Sequence, residues 1–274
     1  KAVTMDTKYS IADLRYLMAR LRDPQTGCPW DIKQTYQTIT PHTIEEVYEV
    51  VDAIERGDIA HLSEELGDLL FQIIFYSQLG EEDNQFDFDA VVSGITAKLL
   101  RRHPHVFPDG TLQSVRDSQT VATEAEIKSH WERIKKQERS AAGSSGTLDD
   151  IPLALPALSR AFKLQKRAAT RGFDWPHISG VLDKVKEEIA ELEQEIASGD
   201  VRGMEDEMGD LLFSCVNLAR HLAIDPEKSL ARASDKFKRR FQAMEAVVGI
   251  DNFGDLSLEQ MEQQWVNAKK LESI

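Results

Sequence analysis

The chain has 274 residues, 41% hydrophobic and 29% charged, with a formal net charge of -14. That balance excludes a disordered polyelectrolyte and leaves room for one large domain or two of about 120 to 140 residues. With no apolar run of about 18 residues, no membrane partner is expected, and the negative charge excludes a nucleic-acid partner unless a strong basic patch overcomes it, where only short ones occur.

Lys1 to Thr4 read as a leftover ahead of Met5, and "KAVTMDTKYSIADL" has neither the apolar stretch nor the small-residue site of a secretory signal. Cys28 and Cys215 form no CxxC pair and no disulfide framework, so a cytoplasmic protein is expected. In chain order, apolar residues recur at helical intervals in "IADLRYLMARLR", "TIEEVYEVVDAI", "LGDLLFQIIFYSQL", "VVSGITAKLL", "VLDKVKEEIAELEQEI" and "MGDLLFSCVNLARHLA". Breaks fall at "DPQTGCPW", "ERGD", "RRHPHVFPDG", "ASGD" and "AIDPEKS", where Gly, Pro and Asp stop helices. An all-α chain of helix bundles is expected. Ser140 to Thr147 contains only Ser, Ala, Gly and Thr, too little to bury a core, so a flexible linker is placed at 140–150 between repeats at 1–139 and 151–274.

The two halves repeat landmarks in the same order. Trp30 of "GCPWD" answers Trp175 of "GFDWP", "EEVYE" from Glu45 answers "EEIAE" from Glu187, and "ELGDLLF" from Glu65 answers "EMGDLLF" from Glu207. "KLLRR" from Lys98 answers "KFKRR" from Lys236, and "WERIKK" from Trp131 answers "WVNAKK" from Trp265. Glu49 to Glu65 and Glu191 to Glu207 are each sixteen residues apart. A merely solvated face has no reason to keep every acid while its neighbours drift.

Helical spacing puts Glu187 and Glu188 on a face with Glu191, and Glu207 with Asp210; the "SGD" turn at Ser198 to Asp200 then folds the two helices antiparallel and sets the acids opposite one another. Crowded carboxylates repel unless a cation neutralises them, and an all-oxygen set suits Mg2+ or Mn2+. Mg2+ so held commonly binds substrate phosphates. Lys236, Arg239 and Arg240 on one helical stretch, with Lys269 four residues after Trp265, offer cations for such a phosphate. Gly67 and Gly209 inside their helices suggest close helix approach at the site. Leu69, Leu70, Ile73 and Ile74 in one half, and Leu211, Leu212 and Val216 in the other, are expected as the buried stripe that fixes the acids' direction.

Other centres fit less well. No His has Glu three residues before it, as a di-iron bundle needs, "HPH" at His103 to His105 reads as a turn, and no P-loop occurs. Trp30 and Trp175 read as core or domain-edge plugs more readily than as base platforms. The rival from another class is an acidic helical scaffold that docks a basic partner without turnover.

Glu-Glu-x-x-Glu followed at this distance by Glu-x-x-Asp, with "DPQTGCPWD" and two "GDLLF" phrases, resembles the MazG family of nucleoside triphosphate pyrophosphohydrolases over both halves. The resemblance implies an all-α homodimer that cleaves a nucleoside triphosphate between the α and β phosphates, giving the monophosphate and pyrophosphate, with Mg2+ or Mn2+. It implies metal ligands Glu188, Glu191, Glu207 and Asp210, nucleotide contacts from Lys184, Lys236, Arg239, Arg240, Trp265 and Lys269, and Glu187 positioning the attacking water. Glu46, Glu49, Glu65 and Asp68 are the matching metal candidates of the first repeat. There His42 stands where the second repeat has Lys184, and "HPHVFPDG" follows the Arg101-Arg102 pair, so the second repeat is expected to carry most of the activity. The apolar faces of such helix pairs can be buried by a second copy or by pairing of the two repeats, and a dimer is favoured.

Overall fold

A computed structural model describes residues 8–117, 123–141 and 146–271 of the chain. Lys1 to Thr4 and residues 142–145 of the expected linker lie outside these. Among the described residues there are ten α-helices, two 3-10 turns and no strand. The all-α expectation holds.

The helices are α1 (Ile11–Leu21), α2 (Tyr36–Arg56), α3 (Ile59–Glu82), α4 (Phe88–Arg102), α5 (Glu124–Ala141), α6 (Ala157–Ala169), α7 (Ile178–Ser198), α8 (Val201–His221), α9 (Pro226–Val248) and α10 (Leu258–Leu271). Two compact units divide the chain between Ile134 and Lys135, so α5 crosses the division and reaches Ala141, inside the span expected as linker.

Each unit is built on one antiparallel helix pair, α2 with α3 and α7 with α8, joined by the same two-residue grammar. α2 ends at Gly57, with φ 70, and Asp58 caps α3 by accepting from the His61 amide at 3.1 Å. α7 ends at Gly199, with φ 77, and Asp200 caps α8 by accepting from the Arg202 amide at 3.1 Å. A left-handed residue stops the first helix where glycine bears no Cβ penalty, and the aspartate starts the second by satisfying an orphan amide. Hairpins this short fix the register in which opposing acids meet.

In the first unit Met18 of α1, Ile39 of α2 and Ile74, Phe75 and Leu79 of α3 form the buried cluster. Arg22 closes its edge, its guanidinium 5.2 Å from the Phe75 ring and donating to both Glu82 oxygens at 2.9 and 2.6 Å. Burial pushes the Glu82 carboxyl up, but the Arg22 and Gln78 hydrogen bonds outweigh it and hold the group below its ordinary value. In the second unit Val181, Val216, Met244 and Ala268 are buried, and α6 is tied to α8 by the Gln165 Nε2 donating to the Phe213 carbonyl at 2.8 Å.

The loop ahead of α7 is anchored by Asp174, which accepts from Arg220 Nη1 and pairs with His221 Nε2, both at 2.9 Å. The Arg220 hydrogen bonds, working against burial and helped by His221, pull the Asp174 carboxyl down to about 2. Because the folded value lies below the ordinary 3.8, the stabilisation is present above about pH 4 and is lost as the pH falls through the folded value. Asp174→Asn is expected to lower unfolding free energy at pH 7 by on the order of 1 kcal/mol, with the difference closing between about pH 4 and pH 2 in urea titrations.

The buried stripe is narrower than expected. Ile74 and Val216 are buried, but Ile73 and Leu212 are 41% and 50% exposed. They belong to faces that neither hairpin covers by itself: Ile44 and Val51 on α2, Ile59, Leu66 and Ile73 on α3, Leu182, Ile189 and Ile196 on α7, Val201 and Met208 on α8, all exposed. Their seven-residue steps are the spacing of helices that pack along a shared seam. Close helix approach does not explain the helical glycines, since a Cβ on Gly67 or Gly209 would meet no atom within 4 Å.

Candidate active site

In the second unit the hairpin brings together Glu188 from α7 and Glu207 and Asp210 from α8, one oxygen of each within 4.8 Å of the others. Glu188 is 3% exposed, so its charge sits where water solvates it poorly. Lys184, one turn earlier on α7, donates to Glu188 at 2.7 Å and Glu187 at 2.9 Å. Those hydrogen bonds, the one to Glu188 first, raise the Lys184 ammonium above its ordinary range and keep it protonated. Burial, then the charges of Glu191, Glu188, Asp210 and Glu195, raise the Glu207 carboxyl. Glu191 thus lies outside the tight trio but acts on it.

In the first unit Glu46 and Glu49 of α2 and Glu65 of α3 form the matching trio, again within 4.8 Å. Asp68 stands outside it, yet its charge follows burial as the second cause raising the Glu46 carboxyl. Glu65 is buried and meets His61 Nε2 at 3.0 Å, while Gln72 Nε2 donates to Glu46 at 3.4 Å. His42, in the position of Lys184, makes only a 3.8 Å approach to Glu45.

The expected phosphate contacts gather as a second group on α9 and α10. The Arg240 guanidinium lies 5.6 Å and the Lys269 Nζ 5.9 Å from the centroid of Trp265, which also meets the Phe237 ring at 5.3 Å. Lys236 and Arg239 lie on an exposed face of α9 with Arg232, Ala233 and Asp235. In the first repeat Trp131 instead donates its indole N–H to the Arg102 carbonyl at 2.8 Å and abuts His103. The "HPH" segment is a turn, as expected, and His103 Nδ1 sits 2.7 Å from the Leu99 carbonyl.

Trp30 and Trp175 are not buried in a core: they are 52% and 47% exposed. Trp30 meets His42 edge-on at 5.9 Å, and Trp175 lies on Gly180, where a Cβ would come within 2.7 Å of its ring.

A doubled acid pattern on two like hairpins is the mark that comparison with known proteins decides. The model of the MazG nucleotide pyrophosphohydrolase domain matches residues 34–107 and again 178–244. The chain belongs to the MazG nucleotide pyrophosphohydrolase family. It is 48% identical over 261 residues to the nucleoside triphosphate pyrophosphohydrolase of Escherichia coli (strain K12), covering 93% of this chain and 95% of that one. It is 40% identical over 259 residues to the nucleoside triphosphate pyrophosphohydrolase/pyrophosphatase MazG of Thermotoga maritima, covering 94% of each. Against the uncharacterized protein YabN of Bacillus subtilis it is 42% identical over 268 residues, covering 96% of this chain and 52% of that one. The two matched MazG segments contain both acid trios, α2 with α3 in one and α7 with α8 in the other.

The donor set fits a hard divalent ion in both repeats, for three acidic residues converge where burial and mutual repulsion already raise a member of each set. Reading the sequence alone missed His61, Gln72 and Glu195. The available signal was the alignment of the repeats on Glu65 and Glu207, which sets His61 against Gly203, Gln72 against Ser214 and Ala53 against Glu195.

Proposed function

We propose that the protein hydrolyses nucleoside triphosphates, and deoxynucleoside triphosphates, between the α and β phosphates to the monophosphate and pyrophosphate, with Mg2+ or Mn2+ and with the second repeat as the main active site. The observation that carries this reading is the trio of Glu188, Glu207 and Asp210 with Lys184 beside it. It is supported by the names of the Escherichia coli and Thermotoga maritima relatives.

In this reading Glu188, Glu191, Glu207 and Asp210 hold the ion. The bound ion supplies positive charge to the phosphate oxygens on which negative charge develops, and acidifies water. Glu187 positions the attacking water through a carboxylate oxygen, and Lys184, held on the same turn, presents its ammonium to a phosphate oxygen. Lys236, Arg239 and Arg240 grip the departing pyrophosphate, while Trp265 and Lys269 hold the rest of the nucleotide. The first repeat binds an ion through Glu46, Glu49, Glu65 and Asp68 but lacks the ammonium of Lys184.

The same proposal includes repeats at 1–139 and 151–274 joined by 140–150, and a homodimer that buries the apolar seams left open on both hairpins. No helix among the described residues is long and apolar enough to cross a membrane. Both cysteines are free, which suits a reducing cytoplasm. The acidic-scaffold reading predicts no turnover. Incubation with mixed nucleoside triphosphates and Mg2+, followed by product chromatography, is expected to yield monophosphate and pyrophosphate; diphosphate with orthophosphate, or no product, contradicts the proposal.

A further inference from the structure

The motif at His103 to His105 has no counterpart in the second repeat and no part in the chemistry proposed above. It closes the end of α4. The amides of Val106 and Phe107 donate to the His103 carbonyl at 2.9 and 2.8 Å, and His103 Nδ1 donates to the Leu99 carbonyl at 2.7 Å. The turn so fixed sets the His105 ring 5.5 Å from that of His103, which stands edge-on to Trp131 of α5 at 5.3 Å. Trp131 in turn donates its indole N–H to the Arg102 carbonyl at 2.8 Å. Next to it on α5, His130 Nδ1 receives Arg133 Nη2 at 2.7 Å. A guanidinium only donates, so a protonated His130 has no lone pair with which to keep that bond. Three imidazoles thus gather at the hydrogen bond that ties α5 to the end of α4. In the second repeat the counterpart Trp265 meets the ring of Phe237 instead, and no histidine follows His221.

Burial, then the charges of His103 in the same turn, of His130 on α5 and of Arg116 beyond the turn, hold the His105 imidazole below its ordinary value. All three of those neighbours are cationic when charged, so a proton on His105 has only repulsion to meet. We propose that the His103-Pro104-His105 turn is a proton-operated clasp, which holds α5 on the end of α4 while His105 is neutral and releases Trp131 when His105 takes up a proton. Because the folded value lies below the ordinary 6.5, the clasp is fully closed above that pH and opens as the pH falls below it toward the folded value. The second repeat, where Trp265 rests on Phe237, has no such response. No residue of the clasp belongs to either acid trio, so it stands whether or not the proposed reaction does.

The test follows the indole N–H signals of the four tryptophans in the full, isotope-labelled chain by nuclear magnetic resonance, with Trp131 assigned by its loss in Trp131→Phe. Between about pH 7.5 and about pH 5.5, the protection of the Trp131 N–H from solvent exchange, relative to free indole at the same pH, is expected to fall by about tenfold or more, while the other three keep theirs. His105→Gln should keep Trp131 protected at both pH values. His105→Lys, which carries its charge throughout this range, should leave it open at both. Far-ultraviolet circular dichroism shows whether each variant is folded, and His105→Asn replaces His105→Gln where that one is not. Equal protection of Trp131 in the unmodified chain at the two pH values, an unchanged fall in His105→Gln, or a closed turn in His105→Lys overturns the proposal. So does loss of protection by all four indoles together, which is unfolding of the chain and not the opening of one turn.

Discussion

Glu207→Gln is expected to lower turnover of a nucleoside triphosphate by on the order of 10^3-fold, while Glu65→Gln, its counterpart in the first repeat, changes it by less than about threefold. Glu207 converges with Glu188 and Asp210, and the amide keeps its size while removing the charge that would attract the ion. Lys184 supplies the asymmetry. Its ammonium is fixed 2.7 Å from Glu188, next to the acids and able to meet a phosphate, whereas the carboxylate beside His42 is Glu45, at 3.8 Å. Steady-state kinetics with both variants decide the matter: equal losses would place the chemistry in both repeats.

Ile189→Asp is expected to halve the mass measured by light scattering at micromolar concentration, weakening self-association by about 10^2-fold or more. Ile189 is 43% exposed, as are its neighbours along the seam, Leu182 at 41% and Ile196 at 59%. Within one chain the substitution therefore disturbs little. A charge forced into an interface must shed its water without a partner, and in the proposed dimer that cost would fall on association alone. An unchanged mass would show that this face of α7 does not join two copies.

The helix pairs were legible because independent signals agreed on them. In each, a 3.6-residue apolar period ran up to a Gly-Asp turn and resumed after it, and the structure puts Gly57 and Gly199 in the left-handed conformation at those two turns. The acid trios followed, since two helices joined by so short a turn can meet in few registers. Periodicity could not tell which apolar residues the chain buries for itself: Ile74 and Ile73 are adjacent and alike, yet one lies in the core and the other on the open seam. It also gave no reason to single out His61 or Gln72, because one histidine or glutamine on a helix carries no pattern. Their meaning appears only when the fold sets them against Glu65 and Glu46. The exposed Trp30 and Trp175 escaped for a similar reason: Trp30 meets His42 and Trp175 lies on Gly180, but about half of each indole stays exposed rather than enclosed by a core.

Isothermal titration of the unmodified chain with Mn2+ measures most directly whether converging carboxylates are the working part of this fold. Saturable uptake that falls sharply in Glu207→Gln is the predicted result. Heats no different from dilution, with and without a non-hydrolysable nucleotide, would contradict it.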